Sequence, residues 1–164
     1  MKLIVAVLLA ASVGLMARAQ DGAASELESE VQALVARDQV TVVHFWAPWC
    51  GNCKREMRPD GWAKFVAANP DVTVVFLNIW HGGMDPAPGL SAGGLGGQKN
   101  FVARTHPNPS RKKGEQLSRF LDLPVGWVPT TWVFRAGKQR YALNYGEVRF
   151  EVLQLMVEDA AKKW

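Results

Sequence analysis

HFWAPWCGNCK, residues His44 to Lys54, contains both cysteines of this 164-residue chain, Cys50 and Cys53, two residues apart. The residues that lead into it, Val40 to Ala47, are mostly β-branched or aromatic and include neither glycine nor proline. Such a run predicts a buried strand. The sequence therefore places the cysteine pair directly after the end of a buried strand.

A helix is predicted to follow from Asn52 to Ala68, with a kink at Pro59. The unpaired N–H groups and partial positive charge at a helix N-terminus favour a thiolate, and in Cys-x-x-Cys pairs the pKa of the first thiol falls to between about 3.5 and 7. Cys53 lies one turn further on nearly the same face. We therefore interpret Cys50 as the attacking thiolate and Cys53 as the thiol that resolves the mixed disulfide.

Three other uses of a close cysteine pair are less compatible with this sequence. A structural disulfide across two residues closes a very small loop and restricts the unfolded chain little. A zinc site needs four ligands, but the chain has only three histidines and no second cysteine pair. A c-type haem would need histidine directly after Cys53, where Lys54 stands. We predict neither a metal nor a cofactor.

The first nineteen residues have the pattern of an export signal. Lys2 precedes an apolar stretch from Leu3 to Met16, and Ala17-Arg18-Ala19 fits the small-x-small cleavage pattern. We therefore expect a signal peptide at 1–19, a single domain at 20–164 and a periplasmic or secreted location, where thiols tend to pair. An uncleaved anchor is the alternative, but this stretch is short for a bilayer span, which needs about 20 residues.

The net charge of the chain is modest. It is +4, and removal of Lys2 and Arg18 would leave +2. That is too little to indicate a nucleic-acid partner. A short basic cluster, Arg111-Lys112-Lys113, is the main local excess of charge.

The rest of the chain predicts an α/β domain. The expected elements are a helix at Ala24–Arg37, a buried strand at Val72–Trp80, a Gly/Pro-rich insertion at 81–114, a short helix at Glu115–Leu123, two strands joined by a turn at 136–138, and a helix at Glu147–Lys163. Two buried strands linked by a helix run parallel, whereas a hairpin is antiparallel. These elements predict a central mixed β-sheet with helices on both faces.

Four motifs occur in the order found in thioredoxin-fold proteins: VVHFWAPWCGNCK, VVFLNI, VPTTWVF and GKQRYALNYG. The chain resembles this family from about Val42 to its C-terminus. With its export signal, it is most similar to the exported TlpA/ResA-like thiol–disulfide oxidoreductases. The first strand of many thioredoxins has no obvious counterpart between Gln20 and Ala24.

The resemblance implies a cis peptide bond between Val128 and Pro129, facing the cysteine pair. Without it, an ordinary trans proline at the start of a strand would be favoured. Trp49 is expected to pack beside the pair as an apolar surface for a partner. Gly51 and Asn52 are the intervening residues that tune the redox potential, and Gly51 allows close backbone approach.

His44 departs from the thioredoxin pattern, in which a buried aspartate assists proton transfer to the deeper cysteine. Its alternation with Val42 and Trp46 places it on one face of the strand. A histidine titrates near neutrality, so it could exchange a proton with Cys53. The alternative, equally compatible with the sequence, is a neutral, hydrogen-bonded core histidine.

The 81–114 insertion follows the second buried strand, so it is expected to lie near the cysteines at the carboxyl edge of the sheet. It is interpreted as a lid or a docking surface. Its basic residues would then steer an acidic partner: Arg104, Arg111, Lys112 and Lys113. A flexible, solvated insertion is the alternative, and the glycine content favours it.

The sequence thus predicts an exported thiol–disulfide oxidoreductase that exchanges a Cys50–Cys53 dithiol or disulfide with protein substrates. The resemblance, not the residues, implies that it is a reductase. Its partners would be protein disulfides and an electron-donor protein, with no nucleic acid and no stable membrane anchor, and the chain would be a monomer. The alternative is a redox-sensing or redox-inert binding module on the same fold.

Overall fold

A computed structural model describes residues 21–144 and 146–162. The predicted signal peptide at 1–19 lies outside the described residues. The helices are α1 (21–35), α2 (Gly51–Glu56), α3 (Trp62–Ala68), α4 (Ala87–Ala92) and α5 (Phe150–Ala160). The strands are β1 (Thr41–Trp46), β2 (Thr73–Asn78), β3 (Phe101–Thr105), β4 (Arg119–Phe120), β5 (Leu123–Pro124), β6 (Thr130–Arg135) and β7 (Lys138–Leu143).

Five strands form one mixed sheet in the order β3-β2-β1-β6-β7, which confirms the predicted fold class. β1 and β3 run parallel to β2, whereas β6 is antiparallel to both β1 and β7. β1 is therefore central, and all six of its residues are buried. The carboxyl ends of the three parallel strands lie at one edge, where ligands of such sheets gather.

Helices cover both faces of the sheet. The ring of His44 contacts Trp62 of α3 at 4.5 Å between centroids, so α3 lies on the His44 face. Side chains alternate along a strand, so Thr41 and Phe45 point to the other face. There the Thr41 hydroxyl donates to the Leu34 carbonyl of α1. The interpretation of a sheet between helical layers is thus confirmed.

The predicted continuous helix from Asn52 to Ala68 is wrong, because the chain forms two helices, α2 and α3, with a break between them. Pro59 lies in the break, where it can donate no backbone hydrogen bond. Gly61 is the last residue of the break, and a Cβ atom there would lie 2.0 Å from the carbonyl oxygen of Glu56. The chain therefore turns more sharply than a kinked helix allows.

The 81–114 segment is not the unstructured insertion that its glycine content suggested. It contains α4 and the strand β3, which pairs with β2 in parallel register. Within β3, Phe101, Val102 and Ala103 are only half-buried, and the remaining two residues are exposed. An edge strand of this kind lacks the continuous apolar pattern that revealed the two central strands.

The short helix predicted at Glu115–Leu123 is also wrong. This part of the chain includes the small β4–β5 hairpin instead. Leu121 and Asp122, which connect the two strands, have positive φ angles of 49° and 58°. That conformation ends a right-handed helix, although the apolar spacing of the segment imitates one.

The C-terminal elements confirm the predictions. β6 and β7 form the expected hairpin, and α5 follows within the predicted limits. The turn residues Ala136 and Gly137 both have positive φ, which matches the two-residue turns that suit the twist of a hairpin. The Gly137 amide also donates to the Val35 carbonyl, which attaches the turn to the end of α1.

Candidate functional site

Cys50 lies at the N-cap of α2, just beyond the carboxyl end of β1. Its backbone is extended, and its sulfur accepts the backbone N–H of Cys53 at 3.2 Å. The Cys50 amide donates to Ala47, which fixes the short turn between strand and helix. The Cys50 sulfur therefore acts as the N-cap of the helix and accepts a hydrogen bond from an N–H group that would otherwise be unpaired.

Cys50 and Cys53 form a disulfide, with their Cα atoms 5.3 Å apart. Cys50 retains 5% of its accessible surface, whereas Cys53 has none. A substrate sulfur can therefore reach Cys50 first, and only through Cys50 can it affect Cys53.

The Val128–Pro129 peptide bond is cis, and it faces the disulfide across the site. The carbonyl oxygen of Val128 lies 3.7 Å from the Cys50 sulfur. The two residues are 78 positions apart in sequence, so the sheet brings them together. The loop before β6 and the start of α2 thus form opposite walls around the Cys50 sulfur.

Trp49 forms one wall of the site and is held by a chain of indole hydrogen bonds. Its indole N–H donates to the Trp80 carbonyl at 2.6 Å, and the Trp80 indole donates to the Leu117 carbonyl at 2.9 Å. Trp80 itself has a positive φ of 49°. Trp80, two residues beyond the end of β2, is therefore fixed in an unusual conformation beside Trp49.

The two residues between the cysteines lie at the rim of the site. Gly51 is exposed, and a Cβ atom there would meet only the Arg55 guanidinium, at 3.8 Å. Asn52 accepts a hydrogen bond from Arg55, which also pairs with Glu147. No neighbour among the described residues thus requires glycine at position 51.

His44 lies in the central strand β1 and is fully buried. Its Nδ1 atom lies 2.9 Å from the Thr131 hydroxyl, and its Nε2 atom lies 3.2 Å from Oε2 of Glu56, although not aligned as a hydrogen bond. The ring packs against Phe76 as well as Trp62. The histidine that the sequence singled out therefore contacts a carboxyl group.

Glu56 was missed by the sequence reasoning. It ends α2 and is 97% buried, with Oε1 accepting the Val148 amide at 2.6 Å and Oε2 accepting the Trp62 indole N–H at 3.1 Å. Because Glu56 follows Cys53 by three residues on the same helix, the two side chains project from neighbouring positions on one face. The i, i+3 spacing was the available signal, but a glutamate on a predicted long helix is usually solvated.

The basic residues of the 81–114 segment differ in their surroundings. Arg104 pairs with Glu30 of α1, and this hydrogen-bonded pairing lowers the pKa of the Glu30 carboxyl. Lys112 pairs with Glu115. Arg111 instead places its guanidinium 4.3 Å from the centre of the Trp49 ring. Only Arg111 of these three basic residues is therefore directed at the cysteine site.

Two depressions adjoin the cis Val128–Pro129 peptide bond. The first, of about 310 Å³, is lined by residues that include Trp49, Trp80, Arg111, Gln116, Trp127 and Val128. We call it the tryptophan groove. The second, of about 210 Å³, includes Pro129 and Thr131, so it adjoins the residue that binds His44. One depression thus adjoins Val128 and the other adjoins Pro129, the two residues of the cis peptide bond.

Within residues 21–144 and 146–162, no three His, Cys, Asp or Glu side chains are grouped so that they could bind a metal ion. Over the same residues, every helix is too short or too polar to span a bilayer.

Comparison with known proteins gives one family match. A family model described as a thioredoxin-like domain matches residues 27–161, which is most of the chain. No curated protein sequence matches.

Several solved structures share the fold. A secreted disulfide oxidoreductase of Mycobacterium tuberculosis, homologous to E. coli DsbE, has a TM-score of 0.53 and 21% identity, with 76% of this chain and 84% of that chain covered. A putative thiol:disulfide interchange protein DsbE from Chlorobium tepidum has a TM-score of 0.54 and 20% identity, covering 77% and 83%. A thiol-disulfide isomerase from Corynebacterium glutamicum has a TM-score of 0.55 and 16% identity, covering 80% and 86%.

Proposed function

This chain belongs to the thioredoxin-like domain family and, with its Cys50–Cys53 pair, is a thiol–disulfide oxidoreductase; we propose that it reduces protein disulfides outside the cytoplasm. One observation carries the proposal. The Cys50 sulfur lies between the start of α2 and the Val128 carbonyl, while Cys53 is completely buried one turn behind it. That arrangement lets one sulfur react with a substrate and the other release it.

The proposed reaction starts from the dithiol form. The Cys50 thiolate attacks one sulfur of a substrate disulfide, forming a mixed disulfide and releasing the other substrate sulfur as a thiolate. Cys53 then attacks the Cys50 sulfur, and the second substrate sulfur leaves and takes up a proton. Two electrons pass to the substrate, and the protein is left with the Cys50–Cys53 disulfide. An electron-donor protein with its own dithiol would restore the starting state.

Cys53 must lose its proton before it can attack, and its burial disfavours the thiolate. We propose that the His44–Glu56 pair accepts this proton. Glu56 is one helical turn from Cys53, and His44 connects Glu56 to the hydroxyl of Thr131, which lines the second depression. A proton passed to this pair has a polar route towards solvent.

The direction of electron transfer and the location of the protein are both part of the proposal. The reductase direction is supported by the resemblance to TlpA/ResA-like proteins. Export is supported by the pattern of residues 1–19 and by one structural neighbour that is itself described as secreted. The expected mature N-terminus is Gln20, which mass spectrometry of the chain recovered from an expressing bacterium would test.

Reduction of insulin disulfides tests the proposed activity. With dithiothreitol as the electron source, the wild-type chain is expected to accelerate insulin reduction catalytically, whereas Cys50→Ser is expected to have no effect above background. A redox-inert binding module would show no turnover, which would overturn the proposal.

The equilibrium redox potential against glutathione tests the direction. Potentials of this fold span about −270 to −120 mV, and a reductase is expected near the negative end. A potential near the positive end would instead indicate an oxidant and would overturn the reductase assignment, while leaving thiol–disulfide exchange intact.

A further inference from the structure

The tryptophan groove adjoins the reactive sulfur on two sides. Trp49 directly precedes Cys50, and Val128, on the opposite wall, places its carbonyl 3.7 Å from the Cys50 sulfur. A substrate that forms a mixed disulfide with Cys50 must therefore place the residues next to its own cysteine over or into this groove. The chemistry of the groove consequently decides which substrates fit.

The groove combines aromatic side chains with charge of a single sign. Three tryptophans line it, and Trp127 is 48% exposed, which is high for so large an apolar side chain. Among the described residues that line the groove, Arg111 alone is charged. The surface therefore combines an apolar wall with a single positive charge.

Arg111 is exposed and lies over the Trp49 ring. Its guanidinium lies 4.3 Å from the centre of the Trp49 ring, an arrangement that holds the cation by its interaction with the ring electrons. Unlike Arg104 and Lys112, it forms no ion pair with a carboxylate in the described parts of the chain. A guanidinium held over a ring without a carboxylate partner can still bind a carboxylate through its N–H groups.

The support for Arg111 is built into the fold. Its side-chain stem passes Gly82, where a Cβ atom would lie 3.2 Å from Cδ of Arg111. The Gly82 amide donates to the Pro109 carbonyl at 2.9 Å, which ties the two ends of the 81–114 segment together. The guanidinium is thus positioned by the backbone before any substrate arrives, which reduces the entropy lost on binding.

We propose that this groove selects disulfide substrates in which an acidic side chain lies close in sequence to the reacting cysteine, with an apolar side chain beside it. The substrate carboxylate binds the Arg111 guanidinium, and the apolar side chain packs on the exposed indole of Trp127. This inference rests on the proposed thiol–disulfide exchange, because it names the substrate class of the same site.

The test uses disulfide-linked dimers of a short peptide that contains one cysteine and one tryptophan. An aspartate is placed in turn at each of the three positions on either side of the cysteine, and matched peptides have asparagine or lysine there. Reduced protein is mixed with each peptide, and the change in tryptophan fluorescence reports the single turnover. At least one aspartate position is expected to react roughly tenfold faster than its asparagine match, the size expected for a charge-assisted hydrogen bond at a partly exposed site.

Variants of Arg111 identify the group responsible. Arg111→Gln is expected to remove the preference for aspartate, so that the aspartate and asparagine peptides react at equal rates, since the neutral amide cannot form the charge-assisted bond. Arg111→Glu is expected to reverse the preference in favour of lysine. Lys99→Gln removes the same charge from an exposed site of the 81–114 segment outside the groove, and it is expected to retain the wild-type preference.

Three results would overturn the inference. They are equal rates for aspartate and asparagine peptides with the wild-type protein, an equal loss of preference in Lys99→Gln, or an Arg111→Gln variant that slows all peptides alike with a shifted redox potential. The last result would mean that Arg111 acts on Cys50 rather than on the substrate. Failure of the proposed function is distinct, because then no peptide of any charge would react.

Discussion

Nε2 of His44 lies 3.2 Å from Oε2 of Glu56, and neither side chain is more than 1% accessible to solvent. The two residues come from the central strand and from the helix that contains both cysteines. A proton taken up by a histidine beside a glutamate carboxylate gives an ion pair rather than an isolated buried cation, which would be costly. His44 stands where many thioredoxins have a buried aspartate, and here the carboxyl group is supplied by Glu56 of α2.

Removing the carboxyl group of this pair should slow the release of substrate. In Glu56→Gln the amide is isosteric but cannot accept the Cys53 proton, so resolution of the mixed disulfide is expected to be roughly 10²-fold slower. Stopped-flow fluorescence should show the first step, attack by Cys50, nearly unchanged. Equal rates for both steps in variant and wild type would contradict the proton-acceptor role.

His44→Ala tests the other half of the pair. We expect slower exchange at Cys53 and a loss of stability of about 2–4 kcal/mol, because the ring leaves a cavity against Trp62 and Phe76. The domain should remain folded by circular dichroism, since domains of this size have about 5–15 kcal/mol of stability. Stopped-flow rates equal to those of the wild type would exclude proton transfer and leave His44 as a core residue.

Cys53→Ser should trap the substrate. Cys50 can still attack, but no second thiol is available to release the product, so a mixed disulfide with the substrate is expected to accumulate. Mass spectrometry under non-reducing conditions measures it directly. Cys50→Ser is the control and should form no adduct, because Cys53 has no accessible surface. Adducts in Cys50→Ser but not in Cys53→Ser would reverse the assigned roles.

Gly61→Ala should destabilise the joint between α2 and α3. The added methyl group would lie 2.0 Å from the Glu56 carbonyl oxygen, so the backbone must shift. We expect a cost of about 3 kcal/mol or more, and a melting temperature lower by roughly 10 °C. Gly96→Ala is the matched control, because a Cβ atom there meets nothing within 4 Å. Equal melting temperatures for the two variants would refute this account of the joint.

His106 should make the protein less stable in mild acid. Burial lowers the pKa of this histidine below its usual 6.5, so the folded state remains neutral where the unfolded state takes up a proton. Its contribution to stability is therefore present above about pH 6.5 and is lost as the pH falls from there through the folded-state pKa.

Urea unfolding between pH 5 and 8 measures this contribution. In His106→Asn the stability curve should be flatter on the acid side, by up to about 1.4 kcal/mol per pH unit, the limit for one proton. The amide oxygen of asparagine can still accept the Asn108 amide, which donates to His106 in the wild type. Parallel curves for variant and wild type would show that the proton uptake occurs elsewhere.

The central part of the fold was predictable because its signals are local. β1 and β2 are buried along their whole length, so their apolar runs are visible in any short window of sequence. The β6–β7 hairpin was predictable from the Ala136-Gly137 turn. The edge strand β3 was not, since it is half-exposed and follows a segment rich in glycine.

The errors have specific physical causes. The apolar spacing of residues 115–123 fits a helix, but positive φ angles at Leu121 and Asp122 turn the chain back as a hairpin. Pro59 was read as a kink, yet the contact between Gly61 and the Glu56 carbonyl requires a complete break. The spacing of apolar residues along the chain predicts neither the positive φ angles of Leu121 and Asp122 nor the contact between Gly61 and Glu56.

The sequence by itself determined that two thiols stand at the junction of a buried strand and a helix, because strand, turn and helix start are all set by neighbours along the chain. Only the tertiary structure decided what surrounds those thiols. The Val128 carbonyl is 78 residues from Cys50 and the Thr131 hydroxyl is 87 residues from His44, so both depend on how the strands pair. Such contacts form when a whole core is buried at once, and no local pattern of residues encodes them.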